Sequence, residues 1–367
     1  MGSTVSAERR RSGREPALIS FPSSRARPAL NALYLDARAR GFHVLDAADL
    51  DELRGLLRAA GHADVIHVHR ASAAFRTVLS VREARAELLS TRSALRGAVR
   101  RGALLIWTML DDGAPGALPS LEQEWVRTLA ESAHRIHLIA PPEDEAAASL
   151  RVAGRPIPDA MVAQVPIALL LGVYGAPEDQ REARAALGVP ADALSVLVFG
   201  GVAEVERLAS VAKAVSAVAA ERPAVLLVAQ DRLELPGLSP EAVAAVLGPD
   251  VVAFVSSGGV ADHEVSRWFS AADVVVAIGS DDVDPLAVDV AGGMGVPCIV
   301  HDGPMMRRRF PESGWVVFGD LDGDGLAALL RDWDPVDPAR RRAAHEAATA
   351  FTPVQMSRAF SELFLTA

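Results

Sequence analysis

The chain has 367 residues, half of them hydrophobic and 23% charged, with a net charge of −10. That length exceeds what one hydrophobic core supports and predicts two domains, and the acidic balance argues against a nucleic-acid partner, which wants a basic face. No apolar run reaches the roughly 18 residues of a membrane span, and the single cysteine, Cys298, leaves no internal disulfide and no cysteine-based zinc site. The expected compartment is the cytoplasm.

Met1 to Glu15 is polar, carries Arg9, Arg10, Arg11 and Arg14, and is followed by no apolar stretch that would act as a leader, so it reads as a disordered tail. From there, short apolar runs alternate with Ala/Arg/Glu/Leu-rich stretches. In the first half the strand candidates are Ala17–Phe21, His43–Leu45, Val65–His69, Ala103–Thr108, Arg135–Ile139 and Val162–Val165. In the second half they are Ser195–Phe199, Ala224–Ala229, Val251–Val255, Val274–Ala277, Cys298–Val300 and Trp315–Phe318. Continuous apolar runs, rather than alternation, mark strands covered on both faces, as in a parallel sheet wrapped by helices. Helices fit between them: Ala29–Arg40 stops at Gly41, Leu50–Ala60 at Gly61 and Arg181–Leu187 at Gly188, each with a glycine where a helix ends. Pro353–Leu365 reads as a last amphipathic helix. The doubled rhythm predicts an α/β protein of two doubly wound parallel-sheet domains facing a cleft. The expected division is residues 16–180, 181–350, and a final segment 351–367 that crosses back to the first domain.

Ligands of open parallel sheets sit at the carboxyl ends of strands, so the residues after each strand matter most. Five stretches there carry a resemblance. They are Phe21-Pro22-Ser23-Ser24-Arg25-Ala26-Arg27-Pro28; Ala63 to Arg70; Leu105-Ile106-Trp107-Thr108-Met109-Leu110-Asp111; Arg184 to Pro190 leading to Val198-Phe199-Gly200-Gly201; and Ser270 to Val276 followed by Gly295-Val296-Pro297-Cys298. In order and spacing they resemble the GT-B retaining glycosyltransferases of family 4, of the polysaccharide and natural-product type. The resemblance implies two Rossmann-like domains, a UDP- or GDP-sugar donor on the second, a small-molecule or saccharide acceptor on the first, no cofactor, no metal ion, and retention at the anomeric carbon.

The chemistry asks for cations or aimed N–H groups where a diphosphate departs. Where the family places an arginine and a lysine, this chain has Ala203 and Glu206; Arg207 is adjacent and is the candidate cation, with Gly200 and Gly201 bringing backbone close to an anion. A plain strand-to-helix turn is the alternative for the two glycines. Where the family has two glutamates, this chain has Asp282 and Val290, with Pro285, Leu286 and Asp289 between; a carboxylate accepts two ribose hydroxyls. The alternative for Asp281, Asp282 and Asp284 is a solvated loop capping the next helix. On the first domain, His69 and Asp111 are the candidate catalytic residues, Leu110 replaces a histidine of the family, and Ser24 and Arg25 are the acceptor-side candidates. His67 reads as packed beneath a helix, and Met305 to Arg309 as a solvated helix face. Three functions fit: glycosyl transfer; a degenerate relative that binds a ligand or a partner enzyme; or epimerisation or phosphorolysis of a sugar.

Overall fold

The computed structural model describes residues 15–24, 28–69, 71–75, 80–109, 118–139, 151–152, 154–200, 205–230, 240–247, 251–256, 259–278, 286–310, 313–335 and 337–366. Two compact units make up the chain. One takes in the residues to Ile167 together with those from Val354; the other spans Ala168–Pro353. All but one residue of the expected tail lies outside the described residues.

The first unit is built on strands β1 (Ala17–Phe21), β2 (His43–Asp46), β3 (Val65–Val68), β4 (Leu104–Met109), β5 (Arg135–Leu138) and β6 (Val162–Gln164), in the order β2-β1-β3-β4-β5-β6. Every pairing is parallel. One face packs Ile19, Phe21, Ile66, Val68, Leu105, Trp107 and Ile136 against α3 (Leu50–Ala59), α4 (Val81–Arg100) and α5 (Pro119–Ser132). Asp49 caps α3 by accepting the N–H groups of Asp51 and Glu52, each at 2.9 Å.

The helix expected over Ala29–Arg40 is two helices, α1 (Pro28–Leu33) and α2 (Leu35–Ala39), broken at Tyr34. The break turns the Tyr34 ring inward, where it is fully buried and hydrogen-bonded. A short antiparallel ribbon, Arg151–Val152 with Arg155–Pro156, was not anticipated; two residues per strand leave no periodicity to read.

The second unit holds β7 (Leu194–Phe199), β8 (Ala224–Ala229), β9 (Ala253–Val255), β10 (Val274–Ala277), β11 (Cys298–His301) and β12 (Val316–Gly319), all parallel, in the order β9-β8-β7-β10-β11-β12. Val196, Val198, Leu226, Val228, Val274 and Ile299 line one core with α7 (Val205–Ala219), α8 (Pro240–Leu247) and α12 (Gly323–Arg331). The remaining helices of the unit are α6 (Gln180–Leu187), α9 (Asp262–Ala271), α10 (Leu286–Gly293), α11 (Pro304–Arg309) and α13 (Pro338–Ala350); α14 (Pro353–Leu365) packs in the first unit. Gly188 ends α6 at φ 75°, a left-handed stop that favours glycine.

Candidate functional site

Each sheet has one point where strand order reverses, and crevices for ligands open there at the carboxyl edge. In the first unit the point lies between β1 and β3; in the second, between β7 and β10.

At the first switch point the chain leaving β1 is held by its neighbours. Asp46, at the end of β2, accepts both the Ser24 backbone N–H at 2.6 Å and the Ser24 hydroxyl at 2.8 Å. His69, just past β3, meets the Pro22 carbonyl at 2.6 Å through Nε2. A carbonyl only accepts, so His69 carries a proton on Nε2. Ser24 and His69 are both fully buried. The candidate catalytic residue His69 and the candidate acceptor residue Ser24 are therefore placed as holders of the Pro22–Ser24 loop. Arg25 and Asp111 lie outside the described residues, as does Leu110. His67 is buried beneath α14, against the Phe360 ring.

At the second switch point, Gly200 follows β7 with φ 108°, a backbone that only glycine adopts at no cost. Its N–H donates to the Ala229 carbonyl at 3.0 Å, so it serves the sheet rather than an anion. Arg207, in the first turn of α7, reaches over the edge: Nη1 donates to the Ile278 carbonyl at 3.0 Å, at the end of β10. Glu206 beside it is exposed. Gly201, Ala203, Asp282 and Pro285 lie outside the described residues. Leu286 opens α10, half-buried; Val290 is core.

Asp289 is fully buried and ion-paired with Arg309 of α11. Its charge is met inside the unit, and as placed it offers no carboxylate to a ribose. Arg309 thereby departs from the solvated face expected for Met305–Arg309: its side chain is 12% exposed. Arg307 does conform, exposed and paired with Asp302 at 2.6 and 2.8 Å. Asp302 is drawn below the usual carboxylate range by that hydrogen bond. Cys298 is fully buried and free, its thiol pushed up by burial and by the charge of Asp289, which makes it inert.

Sequence reasoning missed Asp46, Ile278 and Arg309. Asp46 had a signal, an aspartate ending a strand next to the first one. The other two had none: a backbone acceptor is anonymous in sequence, and Arg309 was one arginine among three. Among the described residues no three His, Cys, Asp or Glu side chains gather as a metal ion would require, and no helix is long and apolar enough to cross a membrane.

No family model matches the sequence, and no curated protein matches it. Solved structures do. HepE from Anabaena, in complex with UDP and glucose, is 15% identical with a TM-score of 0.65, over 96% of this chain and 100% of that one. Sucrose-phosphate synthase from Thermosynechococcus elongatus is 15% identical at 0.67, over the same shares. UDP-GlcNAc 2-epimerase from Neisseria meningitidis, bound to UDP-GlcNAc, is 9% identical at 0.57, again over 96% and 100%. The chain thus has the α/β fold of the GT-B type, two doubly wound parallel sheets, one in each unit.

Proposed function

We propose that this chain is a glycosyltransferase. It takes a sugar from a UDP- or GDP-sugar held at the carboxyl edge of the second unit and passes it to a small-molecule or saccharide acceptor held at that of the first. The observation that carries the reading is Arg207, whose guanidinium lies at the second switch point on the Ile278 carbonyl. Departure of a nucleoside diphosphate builds negative charge on its phosphates, and a cation fixed beforehand by a protein carbonyl answers it without reorganising. Solved proteins of the same fold carry UDP, UDP-glucose or UDP-GlcNAc. Retention and independence of metal ions, which the sequence resemblance implies, are part of the same proposal. So are Gly201, Asp282, Pro285 and Leu286 as donor-side residues, with Gly200 as the turn that leads to them, Asp111 and Arg25 as acceptor-side residues, and action in the cytoplasm within a polysaccharide or natural-product pathway. His69 and Ser24 enter it as residues that position the loop.

A second reading is favoured by the Asp289–Arg309 pair and by Glu206. One removes a carboxylate from sugar recognition, and the other puts an anion where a diphosphate wants a cation. A relative that binds a ligand or a partner enzyme without transfer tolerates both. Calorimetric titration of UDP, GDP and UDP-glucose separates the readings at the first step. A transferase binds at least one at sub-millimolar concentration, and incubation with EDTA leaves that binding intact. Absence of binding to all three overturns the transferase.

A further inference from the structure

Five side chains in the first unit form one unbroken hydrogen-bond chain through the interior. Ser20 Oγ lies 2.9 Å from Tyr34 Oη, and Tyr34 Oη lies 2.5 Å from His67 Nδ1. His67 Nε2 lies 2.6 Å from Thr108 Oγ1, which lies 2.8 Å from His137 Nδ1; His137 Nε2 ends the chain 2.7 Å from the Val165 carbonyl. The residues come from β1, the Tyr34 break, β3, β4 and β5, and all are buried.

The direction of this chain is forced. The Val165 carbonyl only accepts, so His137 carries its proton on Nε2. With His137 neutral, Nδ1 accepts from the Thr108 hydroxyl, and the Thr108 oxygen accepts from His67 Nε2–H. His67 Nδ1 then accepts from Tyr34, and Tyr34 accepts from Ser20. Every group is satisfied, with two neutral imidazoles.

The lid over the chain is α14. The Phe360 ring lies 4.8 Å from His67, 5.4 Å from His137 and 6.1 Å from Tyr34, centroid to centroid. Ser357 Oγ accepts the Asp36 N–H at 2.5 Å, and Met356 and Phe364 are buried alongside. The helix brings no charge over the chain: Arg358 and Glu362 are exposed. It also carries a weak point, since the buried Ser361 hydroxyl has no hydrogen-bond partner among the described residues. From the other elements, the titratable neighbours of the two imidazoles are Tyr34, His69 and each other; Asp46 and Arg38 act on Tyr34. Among the described residues no carboxylate faces either imidazole.

We propose that this buried chain is an acid-sensitive latch: it seats the C-terminal helix on the first sheet while both imidazoles are neutral, and undocks the helix when it takes up a proton from water. One added proton on His137 Nδ1 reverses every link from Thr108 to Ser20 and leaves the bond to the Val165 carbonyl in place. Thr108 turns to donate to His67 Nε2, His67 donates from Nδ1 to Tyr34, Tyr34 to Ser20, and Ser20 to the Pro22 carbonyl, 3.3 Å away. No hydrogen bond is lost, so what the interior must accommodate is a net charge with no anion to meet it. Water has to reach that charge. The lid, α14, pairs with no strand, so it can leave without breaking any sheet ladder. Burial holds both histidines below their ordinary range, consistent with a latch that stays shut at neutral pH.

Hydrogen exchange on the full chain, corrected for the intrinsic pH dependence of exchange, tests this. From about pH 7.5 to about pH 4.5 the protection of residues 354–366 is expected to fall ~10-fold or more, while that of α7 in the second unit holds. The double variant His67→Gln with His137→Gln, which keeps neutral donors and acceptors in place, is expected to retain protection of α14 at the lower pH. Equal acid loss in the variant, or loss of α7 in step with α14, overturns the latch. If the variant does not fold, the ¹⁵N shifts of the native histidines decide. Neutral Nε2–H tautomers at pH 7.5, with one imidazole charging as α14 is released, support the proposal; release with both still neutral refutes it.

Discussion

Asp273 holds Arg184 at 2.6 Å at the amino edge of the second sheet, and the same oxygen accepts the Ser195 N–H at 2.8 Å, the start of the unit's first strand. The other oxygen takes Gln180 Nε2 at 3.0 Å. One buried carboxylate thus ties α6 to β7 and β10. Asp64 does the corresponding job in the first unit with its two oxygens, accepting Ala17 N–H and Gly61 N–H at 2.9 Å each. Removing one partner of a buried ion pair strands the other, so Asp273→Ala is expected to cost about 3–5 kcal/mol. Asp64→Ala, which removes the acceptor of these two backbone N–H groups, should cost about 1–3 kcal/mol. Urea unfolding of the two variants checks the order; an equal or reversed cost shows that the ion pair is not the hub.

Arg207→Ala should weaken binding of a nucleoside diphosphate by about 1.5–3 kcal/mol, the worth of a charge-assisted hydrogen bond. Its link to Ile278 gives the side chain a fixed position, so Arg207→Lys should recover only part of that loss. Calorimetric titration with UDP or GDP decides. Unchanged affinity in the alanine variant takes Arg207 out of the site.

The inner strands, such as β1, β3, β7 and β8, were legible because each is a short apolar run buried on both faces, a pattern that survives one-residue errors at the ends; the edge strands β2, β6, β9 and β12 are only partly buried. The break at Tyr34 was not legible: what stops the helix is an inward ring bonded to Ser20 and His67, and those partners are remote in sequence. The site was read by position rather than by contact. Arg207 was picked out as the nearest cation to a motif, but its acceptor Ile278 carries no sequence mark. His69 was correctly placed at a strand end, yet alternation does not say that it turns onto the Pro22 carbonyl of the loop after β1 and is fully buried there. Asp289 looked like a spare carboxylate because its partner Arg309 is twenty residues away on another helix.

Gly293 in α10 lies against the backbone of Leu170. A Cβ added there would stand 2.6 Å from the Leu170 carbonyl carbon and 2.8 Å from its oxygen. Backbone cannot rotate aside as a side chain does, and Leu170 N–H is already bonded to the Asp289 carbonyl at 2.9 Å. Gly293→Ala is expected to destabilise the second unit by about 1–3 kcal/mol despite the better helix propensity of alanine. A rise in melting temperature would mean that residues 168–171 are not tightly docked on α10.

Stability should also fall with acid. Burial pulls the pKa of His137 down to about 4 and lowers that of His67, whereas both titrate near 6.5 when the chain unfolds. Between those values the unfolded chain binds more protons. The contribution of His137 is therefore complete above about pH 6.5 and lost as pH falls towards 4, at about 1.4 kcal/mol per pH unit, and that of His67 has the same sign. For His137 alone this amounts to roughly 3 kcal/mol by pH 4. His137→Gln should flatten the slope of unfolding free energy against pH over that window. An unaltered slope would show that another group drives acid loss.

Glu206 tests whether the second switch point still serves as a donor site. It lies in the first turn of α7, exposed and next to Arg207. There it complements the helix N-terminus, so replacing it costs about 0.3–1 kcal/mol of helix stability. Towards a diphosphate the sign is opposite, since a carboxylate beside a dianion repels it and an ammonium attracts it. If the pocket survives, Glu206→Lys is expected to tighten UDP or GDP binding and to make it steeper in salt, because the new attraction is solvent-exposed and screened. The measurement is titration of both proteins at two ionic strengths. Tighter, salt-sensitive binding without turnover in either protein points to a transferase that has lost its chemistry and kept its pocket. Binding by the native protein that vanishes in the variant instead makes Glu206 itself a ligand group, accepting hydroxyls rather than opposing phosphates, and moves the diphosphate away from the first turn of α7.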